Sequence, residues 1–487
     1  MNTKQGKSTH INTNTFLNTI KSVSGIIFPL ITFPYITNVL LVDNVGRINF
    51  GLSVVSYFSL LASLGISTYA VRECAKVKDN RKVLDNLSSE IFSINIITTI
   101  ISYAFLFLLL GLSEVFEAYR VLIVIQSLTI AMTTLGTEWI NTAMEDFKFI
   151  TVRTLAFQIL SIVLMFVFVH EPSDYLKYAV ITVVSAGGAN LVNVSYRKKY
   201  CKIRFTTRID LKKHLPPILL LFSMQLAQII YVNSDITLLG LMKGDYEVGL
   251  YSVSVKIYTI IQTLMNSVVL VVLPKLSYWY ARKNYNEINK LLRYAFDFIV
   301  VLGLPCVVGV NVVGEGIVLL LSGPEYLGCI PSLRILMLAL TASFFAGFIN
   351  NMIMIPSGRD KICLFSSVIS AVVNLVLNII LIPKYGLNAA AFTTFVSQLL
   401  GLIIKLPFVE REVHIGNVPG RLFGPVCGCV VMGIVAIAIA GMMELSHLRT
   451  CIQIVACVIV YAITLIMCKN ELVLNILEQL KSKLKRQ

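Results

Sequence analysis

Charged side chains set into long apolar runs are where this sequence could do chemistry. Lys21, Arg47 and Lys256 are cations inside or at the rim of stretches otherwise built from Leu, Ile, Val and Phe, and Asp43 and Asp235 are carboxylates in the same setting. A charge at the centre of a membrane helix costs roughly 2.5–3.5 kcal/mol unless paired or wetted, so each such residue calls for a reason. Cations facing a wet cavity suit an anionic ligand, above all a phosphate or pyrophosphate, which Lys binds as a point charge and Arg as a fork. Asp235 and Lys256 fall at depths where they could neutralise each other, and Asp43 and Arg47 flank the turn between the first two runs. If a cation, a proton or sodium, is coupled to the work of the protein, Asp43 or Asp235 is where to expect it. Glu138, Asp297 and Glu315 lie near run ends and read as interfacial.

Other chemistries find little support. The ten cysteines sit mostly in apolar runs with no CxxC and no Cys/His cluster, and the five histidines are scattered, so no metal site and no His-based catalytic centre is expected. GKS at residues 6–8 lacks the preceding glycine and strand of a phosphate loop. No catalytic residue and no cofactor are assigned. The polar N-terminal segment MNTKQGKSTHINTNTF does not read as a secretory signal.

The elements that must position these charges follow from composition. The 487 residues are 56% hydrophobic and 14% charged, with a mean hydropathy of +0.79; ordinary soluble chains run at roughly 45–50% apolar and about 25% charged. Only a helix of about 20 residues satisfies its backbone across a bilayer. Fourteen such runs are readable, near residues 14–41, 47–71, 90–111, 118–139, 150–169, 175–195, 217–241, 246–273, 294–321, 331–354, 362–382, 388–408, 423–443 and 450–467. The expected fold is therefore an all-α polytopic membrane protein. Lys and Arg concentrate in the loops of one side, richest in RKKYCKIRFTTRIDLKK at 197–213, which predicts that this linker and both termini are cytoplasmic and makes the net charge of +15 a topology signal, with no nucleic-acid partner implied. Pro29 and Pro34 should bend the first span and serve as gating points, with Pro305, Pro356 and Pro407 acting likewise later.

A weak internal repeat sets TNVLLVDNVGRINFGLSVVSY beside ITLLGLMKGDYEVGLYSVSVKIY, matching Val45-Gly46 to Val248-Gly249. It suggests two pseudo-symmetric bundles: an N-terminal bundle with its basic linker at 1–210, a second at 211–420, two additional spans at 421–468 and a basic amphipathic tail at 469–487.

The stretch FPYITNVLLVDNVGRINFGLSVVSYFSLLASLGISTYAVRE, together with IPKYGLNAAAFTTFVSQ at 382–398, resembles the Wzx-type polysaccharide flippases of the multidrug/oligosaccharidyl-lipid/polysaccharide exporter superfamily. The resemblance covers nearly the whole chain and is densest over 25–82. It implies two helical bundles around a V-shaped cavity and, as function, alternating-access movement of an undecaprenyl-pyrophosphate-linked oligosaccharide from the inner to the outer leaflet of the bacterial cytoplasmic membrane. Basic residues of the first, second and eighth helices hold the substrate in a related lipid II flippase branch, which points to Lys21, Arg47 and Lys256 here. It further implies membrane lipids, a polysaccharide polymerase and chain-length machinery as partners, in O-antigen or lipopolysaccharide assembly. The alternatives are a multidrug exporter of the same fold, which would favour a cavity carboxylate, and a polytopic polymerase or ligase, which would need a large outer loop.

Overall fold

The structure is a computed structural model describing residues 2–409, 413–475 and 478, with side chains described from Ser24 onward except at 26, 224 and 270. Packing divides it into two compact units, Met1–Gly249 and Leu250–Gln487. Unit 1 contains α1 (Asn2–Ser63), α2 (Ile66–Lys76), α3 (Arg81–Leu112), α4 (Arg120–Gly136), α5 (Glu138–Ala143), α6 (Phe147–Phe168), α7 (Tyr175–Val183), α8 (Ala189–Tyr196), α9 (Leu211–Lys243) and the first turn of α10 (Asp245–Ala281). Unit 2 continues with the rest of α10, then α11 (Tyr285–Ser322), α12 (Ile330–Phe348), α13 (Asp360–Lys405), α14 (Val418–Met442) and α15 (His447–Met467). The expected amphipathic tail lies for the most part outside the described residues.

Twelve helical stretches among the described residues are long and apolar enough to cross a membrane. Two of them, Ile27–Lys76 and Asp360–Phe408, run for 50 and 49 residues. At about 1.5 Å per residue each would be about 75 Å long, over twice the hydrocarbon thickness of about 30 Å, so neither fits as a single crossing. Both are interrupted: the backbone leaves helical geometry at Leu41 (φ 61, ψ 176) and at Gly386 (φ 56, ψ −136). Those two breaks separate the first span from the second and the eleventh from the twelfth, so the twelve stretches accommodate the fourteen spans read from the sequence. The all-α polytopic expectation is borne out.

The prolines behave differently from one another. α1 stays helical through Pro29 and Pro34, and α11 through Pro305. Pro356 and Pro407 do not bend a helix as expected. Pro356 follows the π-helical turn Ile349–Met354 at the end of α12, and Pro407 stands in the short 3-10 turn Leu406–Phe408 after α13. A proline's missing N–H is tolerated at helix ends, where intrahelical bonding is incomplete.

Each unit has its own core. In unit 1, Ile66, Tyr69 and Cys74 of α2 meet Leu84 and Ile91 of α3, Trp139 and Ile140 of α5, Cys201, and Ile218 of α9. In unit 2, Val301 and Val313 of α11 meet Met432 and Ala436 of α14 and Tyr461 and Leu465 of α15, where the Tyr461 hydroxyl donates to the Val301 carbonyl at 2.8 Å. All ten cysteines are unpaired, and most are buried, as small apolar residues would be.

Candidate functional site at the first helix turn

Four elements of unit 1 converge just beyond the break at Leu41. The second segment of α1 supplies Arg47, the first residue of α10 supplies Asp245, the 3-10 turn before α4 supplies Tyr119, and the start of α7 supplies Tyr175. Arg47 Nε donates to Asp245 Oδ2 at 3.0 Å, and the Tyr119 hydroxyl donates to Asp245 Oδ1 at 2.6 Å. The Arg47 guanidinium carbon lies 5.9 Å from the centre of the Tyr175 ring, within cation–π range. Phe50, 1% exposed, backs the cluster, with its ring edge-on to Tyr119 at 4.9 Å.

This approach depends on two glycines. A Cβ on Gly46 would strike the backbone carbonyl of Asp245, and one on Gly249 would strike the carbonyl of Val42. These are the glycines that the internal repeat had paired, and in the structure they mark two turns packed backbone to backbone. Asn44 adds a further tie by donating from Nδ2 to the Pro172 carbonyl at 2.8 Å.

Both oxygens of Asp245 are thus occupied, and its side chain is only 13% exposed; that of Arg47 is 42% exposed. Arg47 spends one donor on Asp245, and its Nη1 and Nη2 make no hydrogen bond among the described residues. The arrangement can hold a guanidinium fork rigid at a polar rim and offer its two outer nitrogens to an anion.

The other expected residues are distributed elsewhere. Asp43 is exposed and does not pair with Arg47. Asp235 is buried in α9 of unit 1, and Lys256 is half-buried in α10 within unit 2. Lys21 belongs to α1, but its side chain lies outside the described residues. Sequence reasoning missed Asp245 as the partner of Arg47. The available signal was its position at the first turn of a helix, right after Gly244 and three residues before the Val248-Gly249 pair of the internal repeat.

Further polar networks were also unforeseen. His214, fully buried, bridges the Tyr69 hydroxyl (Nδ1, 2.7 Å) and Glu90 (Nε2, 3.0 Å). Arg153, 5% exposed, binds Glu138 at 2.5 Å. Asp146, between α5 and α6, accepts from the hydroxyls of Tyr196 at 2.7 Å and Tyr200 at 2.5 Å. Burial works to raise the Asp146 pKa, but these two hydroxyls, the Phe149 amide and nearby Lys199 outweigh it and hold the carboxyl below its ordinary value. In unit 2, Asn374, Asn378 and Thr393 of α13 form a buried uncharged cluster, with the Thr393 hydroxyl donating to Asn378 Oδ1 at 2.5 Å. Asp297 pairs with Arg421, and Glu315 with Arg334 at 3.5 Å, as suits residues at span ends.

Comparison with known proteins places this architecture. The chain is 27% identical over 376 residues to "Capsular polysaccharide biosynthesis protein CapF" of Staphylococcus aureus, covering 76% of this chain and 91% of the relative. It is 22% identical over 394 residues to a protein of Shigella dysenteriae named "Putative O-antigen transporter", covering 79% and 96%. Among solved structures it shares the fold of "Lipid II flippase MurJ, inward closed conformation", with a TM-score of 0.74 at 16% identity, over 93% of this chain and 97% of that one. A family profile described as "Polysaccharide biosynthesis protein" matches residues 11–279. That match spans more than half of the chain, which therefore belongs to the polysaccharide biosynthesis protein family.

Proposed function

We propose that this protein is a flippase for a lipid-linked oligosaccharide, moving an undecaprenyl-pyrophosphate-linked repeat unit from the inner to the outer leaflet of the cytoplasmic membrane by alternating access. The observation that carries the reading is the extent of the family match, joined to relatives that are named for capsular polysaccharide biosynthesis and O-antigen transport and are covered almost end to end. The physics agrees with it. Sugar hydroxyls lose their water partners in hydrocarbon, so the head needs a polar path, whereas the polyprenyl tail is at home in lipid. A transporter of this kind makes and breaks no bond; its task is to lower the desolvation cost of the head.

In this reading Lys21, Arg47 and Lys256 bind the pyrophosphate, with Arg47 held in place by Asp245 and Tyr119 and presenting its outer nitrogens. Asp43 or Asp235 would take a coupling cation, and Pro29 and Pro34 would be points of flexure. Both termini and the 197–213 linker lie in the cytoplasm. The repeat delivered to the outer leaflet would be consumed by a polysaccharide polymerase and its chain-length machinery.

Purified protein in vesicles carrying a fluorescent lipid-linked oligosaccharide tests the proposal. Movement of label from one leaflet to the other should require the protein and should fail with the same head group on a protein-free membrane. Transport of organic cations without movement of the oligosaccharide would replace the flippase with a multidrug exporter. Reporter fusions that place the 197–213 linker outside the cell would refute the topology.

A further inference from the structure

The basic linker between α8 and α9 takes no part in the transport chemistry above, yet it is fastened along its length. Lys202 N–H donates to Asp85 Oδ1 at 2.8 Å, Arg204 N–H to Ser89 Oγ at 3.1 Å, and Thr206 N–H to Ser93 Oγ at 2.8 Å. Alternate amides of an extended chain advance by about 6.6 Å, and every fourth residue of a helix by about 6.0 Å. The two repeats therefore stay in register as the linker climbs α3 from Asp85 to Ser93. Ile203 and Ile209 turn inward onto the unit 1 core, and Cys201, fully buried at the foot of the strap, has its thiol pushed up to about 11 by that burial.

The side chains left outside form a pattern of their own. Lys202, Arg204 and Arg208 are exposed, and Phe205, 56% exposed, stands among them. Beyond Ser93, α3 exposes Ile97, Ile100, Ile101 and Phe105, spaced as one helical face. In a membrane-spanning chain such a bare apolar face is covered by lipid tails. The strap thus ends where hydrocarbon begins, and it carries an aromatic ring at that level with cations around it. Topology alone would require only cations in a loop; it would require neither a strap fastened to α3 nor an exposed ring at the boundary.

We propose that residues 202–208 are a docking surface for anionic lipid headgroups, with Phe205 inserted between headgroups and acyl chains and Lys202, Arg204 and Arg208 on the lipid phosphates. The strap's own fastening uses backbone amides and α3 side chains, so the outward side chains are free to serve the membrane. The inference does not depend on the identity of the transported molecule, because its readout is lipid contact.

Full-length protein in vesicles tests it in two ways. In a Phe205→Trp variant read against the parent, the added fluorescence should be quenched more strongly by phosphatidylcholine brominated near the head than by lipid brominated near the chain end. Spin-labelled phosphatidylglycerol should be enriched over phosphatidylcholine at the protein boundary. Arg204→Gln and Arg208→Gln should each lower that enrichment at the strap roughly fivefold, the equivalent of about 1 kcal/mol per cation near an anionic surface. Thermal melting of the variants should match the parent. Added fluorescence that stays water-like and unquenched would overturn the proposal and give the patch to a soluble acidic partner. Unchanged phosphatidylglycerol enrichment in both Gln variants would overturn it equally.

Discussion

The two long helices that break mid-course, α1 in unit 1 and α13 in unit 2, break for different reasons. In α13 the interruption falls on Gly386, whose φ of 56 and ψ of −136 are open to a residue without a Cβ. In α1 it falls on Leu41, whose φ of 61 and ψ of 176 belong to a region that costs a side-chain-bearing residue about 1–3 kcal/mol. Nothing local favours that geometry at a leucine. Leu40 and Val42 are buried on either side, the Val42 carbonyl abuts Gly249, Asn44 is tied to Pro172, and Arg47 is tied to Asp245. Unit 2 obtains its break from the chain itself, whereas unit 1 obtains it from tertiary contacts that over-determine one residue. The strained turn is also the one that carries the guanidinium proposed to meet substrate, so the same contacts that force the backbone also aim Arg47.

The largest expected effect comes from removing the cations. Arg47→Ala combined with Lys256→Ala should reduce polysaccharide export at least tenfold while protein in the membrane stays at parental level; undiminished export would leave the charged turn of unit 1 with a structural role only. Next, Gly386→Ala should destabilise the protein by about 1–3 kcal/mol in thermal or denaturant unfolding of the purified chain. Leu41→Gly, by contrast, should be neutral or stabilising by up to about 1 kcal/mol, since strain relief offsets the loss of a partly exposed side chain. If the two substitutions had equal effects, the distinction between a local break and an enforced one would fall.

Asp245→Asn tests the tie from the other side. The pair lies between the exposed and buried limits, so losing the charge should cost about 1–2 kcal/mol. A double-mutant cycle with Arg47→Ala should recover a coupling of similar size, and additive effects would mean that the 3.0 Å contact contributes nothing. The smallest effect concerns pH. Asp146 is held below its unfolded value of about 3.9, so its contribution to stability is present above that value and is lost as pH falls through the depressed folded value. The melting difference between parent and Asp146→Asn should accordingly be present near neutrality and vanish at strongly acid pH; a difference that persisted there would assign the effect to packing.

The spans were legible because hydropathy and length add along the chain, and a lipid-embedded helix must be apolar for about 20 residues whatever its neighbours are. Val45-Gly46 and Val248-Gly249 were legible as a repeat, although not as the contact they prove to be. The partner of Arg47 was not legible. Asp245 lies 198 residues away, and neither of the carboxylates nearer at hand in the argument, Asp43 or Asp235, takes its place. Asp43 fails because it is left exposed and unpaired with Arg47, an outcome that no spacing reveals.

The same division holds for the rest of the molecule. By itself the sequence determined an all-helical membrane protein, the apolar runs that make its spans, the interruption between the runs 362–382 and 388–408, and the basic character of the linker, because each follows from the composition of a continuous segment. Only the tertiary structure decided that Leu41 must adopt a glycine's conformation, that His214 sits between Tyr69 and Glu90, and that an extended strap keeps register with α3. Those outcomes depend on segments remote in sequence meeting at distances of about 3 Å, and hydrogen bonds and close backbone packing are decided at that range.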